Sequence, residues 1–345
     1  MKKYRLILAI GLMLIAGACE KSEFLTDGDF FHLDNDGAKM PVWVKGNFNS
    51  DVILITVHGG PGDSGMAFPI SPGFKLLEDD YMIVYWDQRF SGMAQGHTDM
   101  STMTPDQFIE DTEKIVQLIQ QKYPDKKLFM LGHSWGGQLS AGYLGRDNHA
   151  SNFKGWIDLN GSIYAELESQ LMKEWILERV PAKLAEPDAD TEFWQFIIDW
   201  YEANPNPGNY SAAEPYWYVS ALNGDVYDLE KYYETMQIPY GELIFNSMFS
   251  MSYYVYAFGS PEDIAPWDEL NYTQEVENIN IPALMLWGAE DGVVPTGVAD
   301  YVYNHLGTDP SMKEVVKIPE CGHGPFAEYP EIFHQEVAKF IETYK

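Results

Sequence analysis

Two short stretches of this chain carry residue types whose spacing suits acyl chemistry. Gly132-His133-Ser134-Trp135-Gly136 reads G-x-S-x-G. In that pattern a sharp strand-to-helix turn pushes the serine oxygen out of a sheet. KLFML before it reads as a strand and QLSAGYLG after it as a helix, the context the motif requires. A serine hydroxyl is a poor nucleophile until a base takes its proton and a carboxylate orients that base. Eight histidines are available. His323, in CGHGPF after the strand-like KEVVKIP, has Gly322 and Gly324 beside it and is the expected base. His305 and His334 fall in helix-like segments, and His133 neighbours the serine, where successive side chains point apart. Asp291 in WGAEDGVVP is the expected acid, because Gly288-x-x-Asp291-x-x-x-Pro295 sets it on a turn just past the strand-like PALMLW. Glu290 and Asp158 are its rivals. The order Ser134, Asp291, His323 is that of a hydrolase.

The second stretch is HGGPGDSG, from His58 to Gly65, and two chemistries compete for it. Gly60, Gly62 and Gly65 satisfy the G-x-G-x-x-G of a dinucleotide loop, and Asp87 lies near the spacing of a ribose-binding acid. Such a loop should open directly into a helix. MAFPISPGF instead carries Pro69, Pro72 and Gly73, which forbid a regular helix there. The competing reading is a loop that offers backbone N–H groups to a carbonyl oxygen. No cofactor is expected, and no histidine pair or CxxC suggests a metal. DNDG (34–37) lacks the twelfth-position acid of a calcium loop and reads as a hairpin turn.

The elements that must hold these residues alternate as in an α/β sheet. FFHL and KMPVWV form a hairpin, and DVILITV (51–57), YMIVYWD (81–87), KLFMLG (127–132), GWIDLNG (155–161), PALMLWG (282–288) and KEVVKIP (313–319) read as strands. Thr104, Pro105 and Gln107 start a helix to about Lys122 that buries Phe108, Ile115, Leu118 and Ile119. EIFHQEVAKFIETYK closes the chain as an amphipathic helix. Between 161 and 275 the strand–helix rhythm stops. That segment holds 23 of the 50 Phe, Trp and Tyr residues, with 21 acids and four basic residues, and reads as an inserted helical cap. The core would comprise 30–160 and 276–345.

The 345 residues carry a formal net charge of −30, which argues against nucleic acid as a partner. A hydrophobic content of 46 % supports a sizeable core. At the start, Lys2, Lys3 and Arg5 precede the 11-residue apolar run LILAIGLMLIA, too short for a spanning helix and suited to a signal peptide over 1–18. Cutting before Cys19 removes three positive charges and no acid, which takes −30 to −33. Ala16-Gly17-Ala18-Cys19 resembles a bacterial lipobox, which implies lipidation of Cys19, a flexible tether over 19–29 and an envelope lipoprotein facing the periplasm or the cell surface. An A-x-A cut would release a periplasmic or secreted protein instead. The only other cysteine is Cys321, read as a packing residue.

Together Ser134, Asp291 and His323 with their flanking motifs resemble the α/β-hydrolase superfamily from Phe30 to Lys345. HGGPG with Trp86-Asp87-Gln88-Arg89 resembles its prolyl iminopeptidase branch, although Phe90-Ser91-Gly92 replaces the branch's usual Gly-Ser-Gly. The resemblance implies a mostly parallel sheet flanked by helices, with an inserted helical cap. It also implies an oxyanion hole from the N–H groups of Gly60 and Trp135, with Gly59 as the alternative to Gly60; Arg89 itself reads as a prop for the loop beside the site, not as a substrate contact. An acyl-enzyme route on small amides or esters follows, with release of N-terminal residues from short peptides as the specific expectation. The acidic, aromatic cap fits a free amine in composition, but no particular cap glutamate matches the branch's amine-binding positions, and SYYVYAF (252–258) has no acid. An esterase, amidase or lactonase on a small uncharged molecule is the alternative, and a non-catalytic hydrolase-like binding protein the reading from another class.

Overall fold

The computed structural model describes residues 28–236 and 266–345. The expected signal peptide, Cys19, nearly all of the tether and the cap stretch 237–265, including SYYVYAF, lie outside the described residues. Among the described residues, no helix is long and apolar enough to cross a membrane.

Nine strands form one sheet: β1 (Asp29–Asn35), β2 (Ala38–Gly46), β3 (Val52–Val57), β4 (Met82–Trp86), β5 (Gln95–Gly96), β6 (Lys127–His133), β7 (Phe153–Leu159), β8 (Ala283–Gly288) and β9 (Lys313–Ile318). Their order is β1-β2-β4-β3-β6-β7-β8-β9, with the two-residue β5 beside β2. β1, β2 and β5 pair antiparallel, and from β4 to β9 every pairing is parallel. Such strands are covered on both faces, which is why β3, β4, β7 and β8 read as near-continuous apolar runs. Alternation along each strand divides the core in two. Ile53, Ile55, Val57, Met130, Met285 and Trp287 face one layer, and Val52, Leu54, Phe129, Leu131, Leu284 and Leu286 face the other.

Helices α1 (Pro72–Asp80), α2 (Pro105–Lys122) and α3 (Trp135–Leu144) follow β3, β5 and β6. The start of α2 is as expected: Thr104 Oγ1 accepts from Gln107 N at 3.3 Å and Pro105 opens the helix. Leu118, however, is only half-buried, and Ile109 and Val116 are buried on this face instead. The expectation that Pro72 and Gly73 block a helix is overturned. A 3₁₀ turn over Gly65–Ile70 contains Pro69, and Pro72 then occupies the first turn of α1, where its missing N–H costs nothing. β1 begins at Asp29, one residue inside the expected tether.

Between β7 and β8 stand α4 (Ala165–Leu184), α5 (Thr191–Ala203), α6 (Glu214–Ala221) and α7 (Leu229–Met236), the described part of the helical insertion. Trp175, Ile176, Trp194, Ile197, Tyr201 and Tyr218 form a third core there. These aromatics pack on one another, as the edge-to-face pairs of Trp200 and Tyr201 with Tyr218 illustrate. The chain returns to the sheet through α8 (Thr273–Asn278), and α9 (Gly297–His305), α10 (Pro325–Glu328) and α11 (Pro330–Tyr344) complete the fold.

Candidate active site

Ser134 sits between β6 and α3 at φ 56°, ψ −128°, a left-handed conformation rare for a residue with a side chain. Holding it takes about 1–3 kcal/mol from the surrounding structure, and such strain clusters at functional turns. The turn closes because Gly132 and Gly136 lack side chains. A Cβ on Gly132 would strike the Gly136 carbonyl, and one on Gly136 would strike that of Val57. Trp135 is the first helical residue, so its N–H has no acceptor within α3.

Asp291 lies past β8 and is 1 % exposed. Its Oδ1 accepts from the N–H groups of Val293 and Val294 at 2.8 and 3.0 Å. Its Oδ2 accepts from Asn160 Nδ2 at 2.6 Å and from His323 Nδ1 at 2.8 Å. With its Nδ1 proton donated to Asp291, His323 keeps the Nε2 lone pair available as a base. Burial alone would lower the His323 pKa, but the charges of Asp291, Asp63 and Asp225 outweigh it and raise the ring above 6.5.

The His323 loop packs on the turn that carries Ser134. His133 Nε2 donates to the His323 carbonyl at 3.0 Å, and the two rings lie 4.8 Å apart. Thus the histidine beside the serine supports the loop. Burial holds it neutral, with a pKa lowered to about 3. Among the described residues Ser134 Oγ has no hydrogen-bond partner, His323 included; such bonds commonly tighten only once substrate binds. The rivals for the acid stand elsewhere. Glu290 accepts from Arg179 Nη2 at 3.0 Å, and both oxygens of Asp158 are buried without a hydrogen-bond partner among the described residues.

HGGPGDSG borders Ser134. A Cβ on Gly59 would stand 3.0 Å from Ser134 Cβ and 3.2 Å from Asp63 Oδ2. Trp86-Asp87-Gln88-Arg89 braces this loop in three directions. Asp87 accepts from Ser64 Oγ, Gly65 N and Met93 N at 2.8, 2.8 and 2.6 Å, so it holds backbone turns together. Gln88 Nε2 donates to the His58 carbonyl at 2.9 Å, while Gln88 Oε1 accepts from Trp135 Nε1 at 3.0 Å. His58 Nε2 accepts from Gln88 N, which leaves its proton on Nδ1 to donate to the Gly59 carbonyl at 2.8 Å. Arg89, fully buried, forks onto Asp111 of α2. The cap is stitched to the same centre, since the Asp225 carbonyl accepts from His323 N and that of Gly224 from Gly292 N, at 2.8 and 2.9 Å. The sequence expectation gave no role to Asn160, Asp63 or Asp225, and held Gln88 only as one letter of WDQR; a residue whose partner is distant in the chain has no local signal for that partnership. Among the described residues, no group of three or more His, Cys, Asp or Glu could hold a metal ion.

The sheet order and the position of the strained serine turn define an α/β hydrolase. The sequence pattern of the Abhydrolase_1 family, alpha/beta hydrolase fold, matches residues 52–330, and the chain belongs to this family. It is 22 % identical over 308 residues to a protein of Bacillus subtilis (strain 168) named probable aminopeptidase YbaC, covering 87 % of this chain and 92 % of that one. With the proline iminopeptidase of Lactobacillus crispatus (strain ST1) it shares 23 % identity over 312 residues, 87 % and 94 % of the two chains. The crystal structure of a proline iminopeptidase from Mycobacterium smegmatis superimposes with a TM-score of 0.65 at 17 % identity, covering 92 % of this chain and 98 % of that one. That likeness concerns the fold.

Proposed function

We propose that this chain is a serine hydrolase that releases the N-terminal residue of short peptides through an acyl-enzyme. One observation carries the reading: the 2.8 Å Asp291–His323 pair lies on a loop packed against the turn of Ser134. Ser134 Oγ attacks the carbonyl carbon as its proton passes to His323 Nε2, and Asp291 stabilises the imidazolium. The oxyanion accepts from the N–H of Trp135 and that of Gly60, with Gly59 the alternative donor. Each donor is worth about 2.7–4 kcal/mol of transition-state stabilisation. Imidazolium then protonates the departing amine, and water, deprotonated by the same ring, frees the acid and regenerates Ser134. The peptidase specificity draws on the HGGPG and WDQR stretches and on relatives named probable aminopeptidase and proline iminopeptidase. Export and lipidation at Cys19 belong to the same proposal and would put the activity in the cell envelope.

A panel of free-amine aminoacyl anilides, their N-acetylated counterparts and short acyl esters tests it, on wild type and Ser134→Ala. Free-amine anilides are cleaved fastest, and the alanine variant loses at least a thousandfold in kcat. Equal rates on blocked and free substrates remove the exopeptidase assignment in favour of an esterase or amidase. Turnover that survives in Ser134→Ala removes the nucleophile.

A further inference from the structure

The loop that borders Ser134 carries a carboxylate with no task in the chemistry above. The carboxylates around the site are otherwise committed. Asp87 takes three donors, Asp291 four, Glu328 the N–H groups of Gly322 and Tyr227, and Asp225 the Ser220 hydroxyl. Asp158 has no hydrogen-bond partner among the described residues, but it is 0 % exposed and cannot reach a substrate. Asp63 differs from all of these. Its side chain reaches solvent, yet the protein around it raises its pKa above the usual carboxylate value, with His323 working against that rise, and among the described residues it accepts no hydrogen bond and forms no ion pair. A Cβ on Gly59 would stand 3.2 Å from Asp63 Oδ2 and 3.0 Å from Ser134 Cβ, so Oδ2 lies no more than about 6 Å from Ser134 Cβ. Its charge also acts on His323.

We infer that Asp63 is the carboxylate that receives the α-ammonium of the substrate, a specificity-determining residue for peptides with a free N-terminus. This rests on the aminopeptidase reading. The reach agrees with it: in the residue being attacked, the α-nitrogen lies about 2.5 Å from the carbonyl carbon, and a charge-assisted N–H···O bond adds about 2.8 Å. A carboxylate a few ångströms from the serine therefore meets an ammonium there and has no fit with an acylated nitrogen, which lacks the charge and the spare protons. The charge balance agrees as well. Catalysis forms an imidazolium on His323 close to the substrate's ammonium, and a carboxylate facing both offsets their repulsion. Lacking a side chain, Gly59 leaves the path between Asp63 and the serine open.

The experiment compares kcat/KM for a free-amine aminoacyl anilide and its N-acetylated form in wild type, Asp63→Asn and Asp63→Glu. Wild type prefers the free amine. Asp63→Asn lowers that preference at least tenfold, chiefly through KM for the free-amine substrate, and Asp63→Glu restores part of it. An Asp63→Asn variant that keeps the wild-type preference overturns the assignment, whether both rates stay high or fall together. A fall in both rates, with an equal shift of both pH profiles, would make Asp63 a modulator of His323 instead. If wild type shows no preference for a free amine, the aminopeptidase reading fails and this inference with it. A preference that survives Asp63→Asn sinks the inference alone.

Discussion

Asn160 and His323 converge on one oxygen of Asp291: the amide donates to Oδ2 at 2.6 Å and the imidazole at 2.8 Å. Asn160 follows β7, so a strand outside both the serine turn and the histidine loop fixes the carboxylate that accepts from His323. Removing the amide leaves that oxygen free to turn, and a lost hydrogen bond to a buried charged group is worth about 1–3 kcal/mol. Asn160→Ala should lower kcat roughly tenfold to a hundredfold with little change in KM. Steady-state kinetics beside a melting curve check this; a loss confined to stability would refute the positioning role.

Activity should fall on the acid side as His323 gains its proton, because in the proposed mechanism only the neutral ring accepts the proton of Ser134. Its raised pKa means that it holds a proton to higher pH, so the limb lies above 6.5. Burial holds His58 and His133 neutral, lowered to about 4 and 3, and Asp87 titrates lower, at about 6. Asp225→Asn removes one charge that raises His323, so the limb moves to lower pH. A kcat/KM profile that does not move, or moves upward, contradicts this electrostatic account.

Asp158 should prove dispensable to the chemistry. Burial first, and then the charge of Glu168, raise its carboxyl well above the usual range. A folded-state pKa above the unfolded value gives stability that is full below about 3.9 and is lost as pH rises towards the folded value. Relative to Asp158→Asn, wild type should therefore lose stability from pH 4 upward, while the variant keeps kcat/KM within a few-fold. Denaturation midpoints at several pH values test the slope. By contrast Asp291→Asn, which spoils the tautomer of His323, should cost about 10⁴ in kcat.

Gln88 ties the glycine loop to the serine turn by two side-chain bonds, to the His58 carbonyl and from Trp135 Nε1. Gln88→Ala leaves a buried acceptor and a buried donor unpaired, at about 1–3 kcal/mol each. Stability should drop accordingly, and kcat should fall more than KM rises, since Trp135 belongs to the proposed oxyanion hole. Urea midpoints and kinetics together decide; full activity in a destabilised variant would confine Gln88 to folding.

Strands, caps and the serine turn were legible from the sequence because each depends on neighbours a few residues away. Apolar runs announce strands covered on both faces, Thr104 with Pro105 announces a helix start, and glycines two residues either side of Ser134 announce the sharp turn. Pro72 misled because proline excludes a helix interior but not its first turn. The pairing of Asp291 with His323 could be proposed from loop positions. Its support could not, for Asn160 is 131 residues from Asp291, Gln88 is 47 from Trp135, and Asp225 reaches His323 from the cap. Local sequence determined the elements and the reactive residue types through backbone sterics and periodicity. Only the tertiary structure decided which buried polar groups satisfy one another, because a hydrogen bond depends on separation in space, and parallel strand order brings distant loops to one edge of the sheet.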